Sequence, residues 1–191
     1  DRLLAALSDA ETTQGLVALA HRPASDPARL FEGTPLVLVA VGIQNPGNLG
    51  GLLRTAEAAG ATGACLVEGC ADPFSWKALR GSMGSAFRLP LVVEARAVVV
   101  LDRLEDQGIR VLATAADGEM RLDEADLTAP VALVVGSVGS GLPEDIAGRA
   151  AARLRIPLAD PVESLNVGVA AGLLLFEAAR QRGFGPGGGA R

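Results

Sequence analysis

Asn45-Pro-Gly-Asn-Leu-Gly-Gly-Leu-Leu-Arg54-Thr-Ala-Glu-Ala-Ala-Gly60 combines a glycine-rich loop, a helix start and one arginine that we predict to point inward. A continuous apolar run at 36–41 precedes it, and such runs are typical of parallel strands buried on both faces. We predict that Asn48 caps the helix, because asparagine is a preferred N-cap residue. A further strand is predicted at 63–67. The stretch therefore indicates a strand–loop–helix–strand unit.

Two more clusters of small residues follow later predicted strands. Gly136-Ser-Val-Gly139-Ser-Gly141 comes after the apolar run 131–135, and Ile156-Pro157 leads to Ser164-Leu165-Asn166. Glycine lets the backbone approach a ligand closely, so the clusters favour a site built from backbone that suits a nucleotide-like ligand. Plainer interpretations are a tight turn for the second cluster, a helix N-cap for the third and an outward salt-bridging role for Arg54.

Strands and helices alternate along the rest of the chain. Further strands are predicted at 109–113 and 153–156, and helices at 75–82, 95–107, from 143 and at 166–182. This alternation predicts an α/β fold, with one parallel sheet flanked by helices. We divide the chain into a junction and linker remnant at 1–33, a main domain at 34–182 and a disordered tail at 183–191.

Composition narrows the functional classes. The 191 residues are 49% apolar and 20% charged, which is enough to bury a full core, and the net charge is −5. That charge is unusual for a nucleic-acid-binding protein, although Lys77, Arg80 and Arg88 around glycines and hydroxyls could form a local phosphate-binding patch or simply a solvated face. Cys65 and Cys70, with only one histidine in the chain, make a poor metal site, so no metal is expected. No apolar run is long enough to span a bilayer, and a reducing cytoplasm is the default location.

The first glycine cluster also invites comparison with dinucleotide-binding loops. The fingerprint of those loops is G-x-G-x-x-G directly after a strand, and the glycines at 42, 47, 50 and 51 do not fit it. No Gly-Lys-Ser/Thr follows, which argues against a P-loop. An ordinary nucleotide-dependent α/β enzyme therefore stays a weaker alternative.

Taken together, the three clusters resemble the motifs of the SpoU (TrmH) family of RNA 2′-O-ribose methyltransferases, in the SPOUT class. The resemblance covers about residues 34–182 and rests on these motifs: Asn48-Leu-Gly50 with Arg54-Thr-Ala, Gly136-x-x-Gly139-x-Gly141, and Ile156-Pro157 with Ser164-Leu165-Asn166-Val167 and Phe176-Glu177. It implies a SPOUT fold with a C-terminal trefoil knot, a homodimer, S-adenosylmethionine as cofactor and RNA as substrate, with ribosomal RNA favoured over transfer RNA.

The resemblance also implies roles for individual residues. The expected cofactor contacts are Thr114, Ala115, Gly136, Ile156 and Leu165. The expected catalytic group is Arg54, supplied by the partner subunit to face the target ribose and supported by Asn48, Ser164 and Asn166. The expected RNA contacts are Arg54, Lys77, Arg80 and Arg88. Because a guanidinium stays protonated, Arg54 is better suited to orienting the 2′-hydroxyl and stabilising negative charge than to acting as a base.

Two positions depart from the family pattern. Val138 stands where the family normally carries glutamate, and Gly168 stands where a small hydroxyl residue is common. Valine cannot orient an arginine or a nucleotide as a carboxylate does. The alternative is therefore an RNA-binding or ribosome-assembly protein of the same fold with impaired catalysis.

Overall fold

A computed structural model describes residues 15–24, 26–94, 96–137 and 141–184, and its centre is a seven-stranded sheet. The strand order is β3-β2-β1-β6-β4-β7-β5, and every pair of neighbours runs parallel. The strands are β1 Leu36–Val41, β2 Gly63–Val67, β3 Leu91–Val93, β4 Arg110–Thr114, β5 Met120–Arg121, β6 Val131–Val135 and β7 Ala152–Arg155. The predicted fold class, a parallel sheet flanked by helices, is confirmed.

Helices cover both faces of this sheet. They are α1 Pro46–Ala58, α2 Trp76–Ser82, α3 Ser85–Arg88, α4 Ala97–Asp106, α5 Glu144–Ala147 and α6 Val167–Gln181, with 3₁₀ turns at Pro27–Phe31 and Leu122–Glu124. Leu36 and Leu38 pack in one core cluster with α1 and α6, whereas Val37 and Val39 pack in a second cluster with α4. Because both faces of β1 are buried, its sequence is apolar without alternation.

The first helix begins earlier than the sequence suggested. Asn45 is its cap, because the Asn45 side chain accepts hydrogen bonds from the backbone N–H groups of Gly47 at 2.8 Å and Asn48 at 3.1 Å. Pro46 occupies the first helical position, where its missing N–H and fixed φ are favourable. The prediction that Asn48 is the cap is wrong. The cap role of Asn166 is confirmed at α6, where it accepts from Gly168 N at 2.8 Å.

Helices α1 and α2 cross with their backbones in close approach. An ideal Cβ on the buried Gly50 would lie 2.3 Å from the carbonyl oxygen of Ala78 and 2.8 Å from the amide nitrogen of Ser82. A Cβ on Gly81 would lie 3.0 Å from the carbonyl oxygen of Gly47. Glycines of the first cluster therefore allow two helices to pack.

The end of α6 is fastened to the opposite end of the sheet by Arg182. Its guanidinium donates at 2.6–3.2 Å to the carbonyl oxygens of Thr34, Pro35, Leu127 and Ala129. Burial lowers the pKa of Arg182 from its ordinary value. These contacts join the last helix to the segments that lead into β1 and β6.

Several predictions stay open. Strand order and pairing do not record how the loops thread, so the trefoil knot remains a prediction. The division at 33 and 182 also remains a prediction, since residues 1–14 and 185–191 lie outside the described part of the chain. Among the helices that the structure describes, none has the length and apolar character needed to cross a bilayer.

Gly50→Ala is expected to destabilise the domain by about 1–3 kcal/mol, because the new methyl group collides with backbone atoms that cannot rotate away. Gly51→Ala is the matched control, since a Cβ there meets nothing within 4 Å. Removing a helical glycine at that open position is expected to stabilise by roughly 0.5–1 kcal/mol. Denaturant unfolding of the two variants measures the difference, and equal stabilities would contradict the close crossing.

Candidate active site

A pocket of about 530 Å³ opens where β4, β6 and β7 end and α6 begins. Because the strands are parallel, the loops that follow them meet at this one edge of the sheet. The volume lies within the range of roughly 300–1,000 Å³ that is common for small-molecule sites. Its wall includes all five predicted cofactor contacts, Thr114, Ala115, Gly136, Ile156 and Leu165. The structure therefore brings together residues that are as far apart in sequence as Thr114 and Leu165.

The loop after β6 folds back onto itself at the pocket wall. Ser137 and Gly141 form an antiparallel bridge, in which Gly141 N donates to the carbonyl oxygen of Ser137 at 3.2 Å. A Cβ on Gly136 would lie 2.6 Å from the carbonyl oxygen of Gly141. Glycine at 136 is thus required by the closure of the loop. Val138 lies outside the described residues.

Hydrogen bonds hold the neighbouring wall in place. Thr114 Oγ1 donates to the carbonyl oxygen of Val134 at 3.1 Å, and Ala115 N donates to the carbonyl oxygen of Leu154 at 2.9 Å. The end of β4 is thereby tied to β6 on one side and to β7 on the other. This arrangement fixes the width of the pocket.

The lining combines apolar side chains with one carboxylate. Leu154, Leu158 and Val167 supply apolar surface, which suits a flat ring. Glu163 is the only ionisable side chain among the described lining residues, and Ser164 lies next to it. Sequence reasoning missed Glu163, although its position immediately before Ser164 in the third cluster was an available signal. The pocket is chemically suited to a ligand with a flat apolar part and a positive charge.

The predicted catalytic residues are divided between two places. Ser164 lines the pocket and Asn166 caps α6 at its edge, whereas neither Asn48 nor Arg54 belongs to the pocket wall that the structure describes. Arg54 is exposed, so the expectation that it points inward is wrong. Its helical neighbours Leu52 and Leu53 take the core-facing positions. Arg54 also forms no hydrogen bond or ion pair within the described residues, so the salt-bridging interpretation is not supported.

The predicted RNA contacts differ in their pairing. Lys77 and Arg80 are exposed on α2 and have no ion-pair partner in the part of the chain that the structure describes. Arg88 makes a two-pronged ion pair with Glu57, with Nε–Oε1 at 2.6 Å and Nη2–Oε2 at 2.7 Å. These hydrogen bonds lower the pKa of the Glu57 carboxyl. Two of the three basic side chains around α2 and α3 therefore keep an uncompensated charge.

The cysteines do not contribute to a site. Burial raises the pKa of the Cys65 thiol to about 12, and Cys70 is partly buried with a raised pKa for the same reason. Within the described ranges, no three metal-ligating side chains converge.

An apolar groove of about 700 Å³ runs along α6 beside the pocket. Ile156 lines both cavities. The exposed side chains of Val169, Leu173 and Phe176 form its floor. A contiguous apolar surface of this kind marks an interaction site.

A family model described as the SpoU rRNA Methylase family matches residues 35–176, which include the pocket and α1. The chain belongs to this family. The resemblance noted from the sequence is thereby confirmed.

Relatives in the SpoU rRNA Methylase family share much of the chain. It is 40% identical to an uncharacterized tRNA/rRNA methyltransferase of Synechocystis, over 77% of this chain and 54% of the relative. It is 36% identical to the 23S rRNA (guanosine(2553)-2′-O)-methyltransferase RlmP of Bacillus subtilis, over 90% of this chain and 67% of the relative. The chain thus spans about half to two thirds of the length of these relatives.

A solved structure of this family is also similar. The SpoU methyltransferase AviRb from Streptomyces viridochromogenes, in complex with the cofactor AdoMet, superposes with a TM-score of 0.79 and 32% identity. The alignment covers 84% of this chain and 63% of AviRb. The likeness supports the sheet and helix arrangement described above.

Glu177, the second residue of the Phe176-Glu177 pair in the SpoU-family motif, has a structural role. The Glu177 carboxylate accepts hydrogen bonds from Arg180 at 2.7 and 2.8 Å and from Gln181 at 2.8 Å. Gln181 in turn donates to the carbonyl oxygen of Ala125 and accepts from Leu127 N. The hydrogen bonds that Glu177 accepts lower its pKa to about 2, and those from Arg180 have the largest effect, followed by the one from Gln181.

The depressed pKa makes Glu177 a source of acid sensitivity. Its contribution to stability is present above the pKa of about 4.3 in the unfolded chain and is lost as the pH falls toward 2. Glu177→Gln is therefore expected to be less stable than wild type at pH 7 and to lose less stability between pH 5 and pH 2. Urea unfolding across this window measures both. Glu144→Gln is the control, because Glu144 is exposed and has no ion pair among the described residues. If wild type and Glu177→Gln lost the same stability between pH 5 and pH 2, Glu177 would not be the source of the acid sensitivity.

Proposed function

We propose that this chain catalyses S-adenosylmethionine-dependent 2′-O-methylation of ribose in RNA, with ribosomal RNA as the favoured substrate. The observation that carries the proposal is the single pocket that unites Thr114, Ala115, Gly136, Ile156 and Leu165 at one edge of the sheet. The RlmP relative is named for 23S rRNA, and the AviRb structure holds AdoMet, which supports both the substrate class and the cofactor.

The described residues fit this cofactor. When bound, S-adenosylmethionine supplies a methyl group on a positively charged sulfur. The apolar walls at Leu154 and Leu158 suit its adenine ring, and the Glu163 carboxylate complements its positive charge. Thr114, Ala115 and Ile156 would hold it through a wall that hydrogen bonds already keep rigid.

Arg54 acts on the ribose in this proposal. As a hydrogen-bond donor it orients the 2′-hydroxyl or an adjacent phosphate and stabilises negative charge on the attacking oxygen. Ser164 lies at the pocket and offers a hydroxyl. Asn166 Oδ1 is engaged by Gly168 N, which leaves its amide nitrogen as the group that can hold substrate. Asn48 lies six residues before Arg54 on α1, and the family resemblance assigns it a supporting role for Arg54.

A homodimer completes the site. Arg54 is absent from the described wall of the pocket in its own chain, so a second copy has to supply it. The apolar groove along α6, with Val169, Leu173 and Phe176, shares the lining residue Ile156 with the pocket. A second copy seated on that groove brings Arg54 of the partner subunit toward the methyl donor.

Two alternatives have specific support. Val138, in place of the usual glutamate, favours a protein of this fold that binds RNA but transfers methyl groups poorly. The Synechocystis relative is named as a tRNA/rRNA methyltransferase, so transfer RNA is the alternative substrate.

The position of the pocket disfavours a dinucleotide-binding enzyme. The pocket lies at the ends of β4, β6 and β7 and not at the loop between β1 and α1. Together with the RNA substrate, we propose a cytoplasmic location.

Arg54→Ala is expected to lower methyl transfer to ribosomal RNA by at least about 100-fold, because it removes a charged donor from the reacting oxygen. Its affinity for S-adenosylmethionine is expected to stay within about twofold of wild type, since Arg54 acts on the ribose and not on the cofactor in this proposal. Labelled-methyl transfer and titration calorimetry measure the two quantities.

Arg103→Ala is the matched control, because Arg103 is an exposed arginine on α4 at the other face of the sheet. Unchanged turnover of Arg54→Ala would remove Arg54 from the mechanism. Cofactor binding without transfer by the wild-type chain would favour the impaired alternative, and Val138→Glu would then be expected to raise the rate.

Leu173→Glu is expected to convert the dimer to a monomer, because it places a charge in the centre of the apolar groove. Leu173→Met keeps the volume and the apolar character, and it is expected to remain dimeric. Sedimentation velocity at one protein concentration compares the two variants with wild type. A monomeric wild-type chain, or a Leu173→Glu variant that remains dimeric, would contradict this interface.

A further inference from the structure

The segment that contains α2 and α3 has an unusual composition. Residues 73–93 hold Lys77, Arg80 and Arg88 but no aspartate or glutamate, although the whole chain has 22 acidic residues and a net charge of −5. The chain has one tryptophan, one lysine and five phenylalanines. Its only tryptophan and only lysine are adjacent here, and two of the phenylalanines lie in the same segment. Aromatic and basic side chains are therefore concentrated in one place.

These aromatic side chains are partly exposed. The exposed fractions are 42% for Trp76, 66% for Met83 and 45% for Phe87. Trp76 and Arg80 are four positions apart on α2 and thus share a face of the helix, which ends at Met83. Large apolar side chains grouped on a surface need an explanation, which isolated ones do not. We call Trp76, Lys77, Arg80, Met83 and Phe87 the aromatic–cationic surface.

The ring of Phe87 has a fixed support. Its centroid lies 6.0 Å from that of Phe74, and the Arg22 guanidinium lies 5.1 Å above the Phe74 ring. Arg22 is itself held by Asp72 at 3.2 Å. Phe74 packs against the core, so the stack is anchored from below. The exposed part of Phe87 is consequently a preorganised apolar surface.

Arg54 borders this surface. On α1 it lies four residues after Gly50, which touches the backbone of α2, and three residues before Glu57, which pairs with Arg88. Residues at these spacings share one face of a helix. Arg54 thus lies on the face of α1 that adjoins α2 and α3, next to uncompensated positive charges.

We propose that the aromatic–cationic surface binds an unpaired stretch of RNA beside the target nucleotide. Bases stack on Trp76 and Phe87, and phosphates contact Lys77 and Arg80. Stacking requires bases that are free of a duplex, because a paired base presents only its edge to a protein. This inference rests on the proposed function and adds to it that the substrate is single-stranded at the modified site.

Charge favours RNA over a second copy of this chain. A symmetric contact between two such surfaces would oppose Lys77 and Arg80 with the same residues of the other copy. Residues 73–93 offer no carboxylate to offset that repulsion. A phosphate backbone neutralises both cations and leaves the rings free to stack.

The only tryptophan provides a direct readout. An unstructured RNA of about twelve nucleotides, a length suited to one single-strand binding surface, is titrated into the 191-residue chain at low salt without methyl donor. We expect the RNA to quench the fluorescence of Trp76, and the same sequence in a duplex to quench it far less. Equal quenching by the duplex would overturn the proposal, as would a protein-concentration-dependent change without RNA.

Substitutions separate stacking from charge. Trp76→Ala is expected to weaken binding of the single strand about 5- to 100-fold, and Trp76→Phe less than about threefold, because phenylalanine retains a ring for stacking. Phe87→Ala is a second test that keeps the fluorophore. Lys77→Ala and Arg80→Ala are each expected to reduce the slope of log K against log salt by about 0.7, whereas Arg103→Ala leaves it unchanged.

The outcomes distinguish this inference from the proposed function. If wild type methylates RNA but Trp76→Ala and Phe87→Ala bind the single strand as tightly as wild type, the stacking surface is wrong and the function stands. If the single strand quenches Trp76 in a chain that binds no S-adenosylmethionine, the surface stands and the proposed function is wrong.

Discussion

Every neighbouring pair of strands in the sheet runs in the same direction, and the position of the site depends on this constraint. Parallel strands send their carboxyl ends to one edge, so the loops after β4, β6 and β7 converge there. The hydrogen bonds of Thr114 and Ala115 then fix the distances between those three ends. The resulting pocket wall combines small residues, such as Ala115 and Gly136, with apolar side chains and one carboxylate.

Close packing at glycine determines where helix α1 lies. Gly50 lets α1 approach α2 to a distance that no other residue permits, and Glu57 fastens the same face to Arg88. Arg54 lies between these two contacts and is held outward, away from the pocket of its own chain. The same packing therefore accounts for an exposed arginine in a family motif and for a cationic border beside exposed rings.

Most of the sheet could be predicted from the sequence, because strands such as β1 and β6 are continuous apolar runs buried on both faces. β3 and β5 were missed, since two or three residues carry no periodic signal. The error at Asn48 arose because Asn45 and Pro46 form a better cap three residues earlier. The five predicted cofactor contacts could be named only from the family resemblance, because no local sequence pattern marks Thr114 or Ala115. Glu163 and the solvent-facing direction of Arg54 depend on tertiary packing, which composition and spacing do not encode.

The contacts of Arg22 and Arg182 hold the first and last parts of the described chain at opposite edges of the sheet. Arg22 rests on Asp72 and Phe74, beyond the carboxyl end of β2, whereas Arg182 is clamped where β1 and β6 begin. The length of strand β1 separates these two edges by roughly 20 Å. The described chain therefore enters the domain near the edge that holds the pocket and leaves α6 one strand length away from that edge.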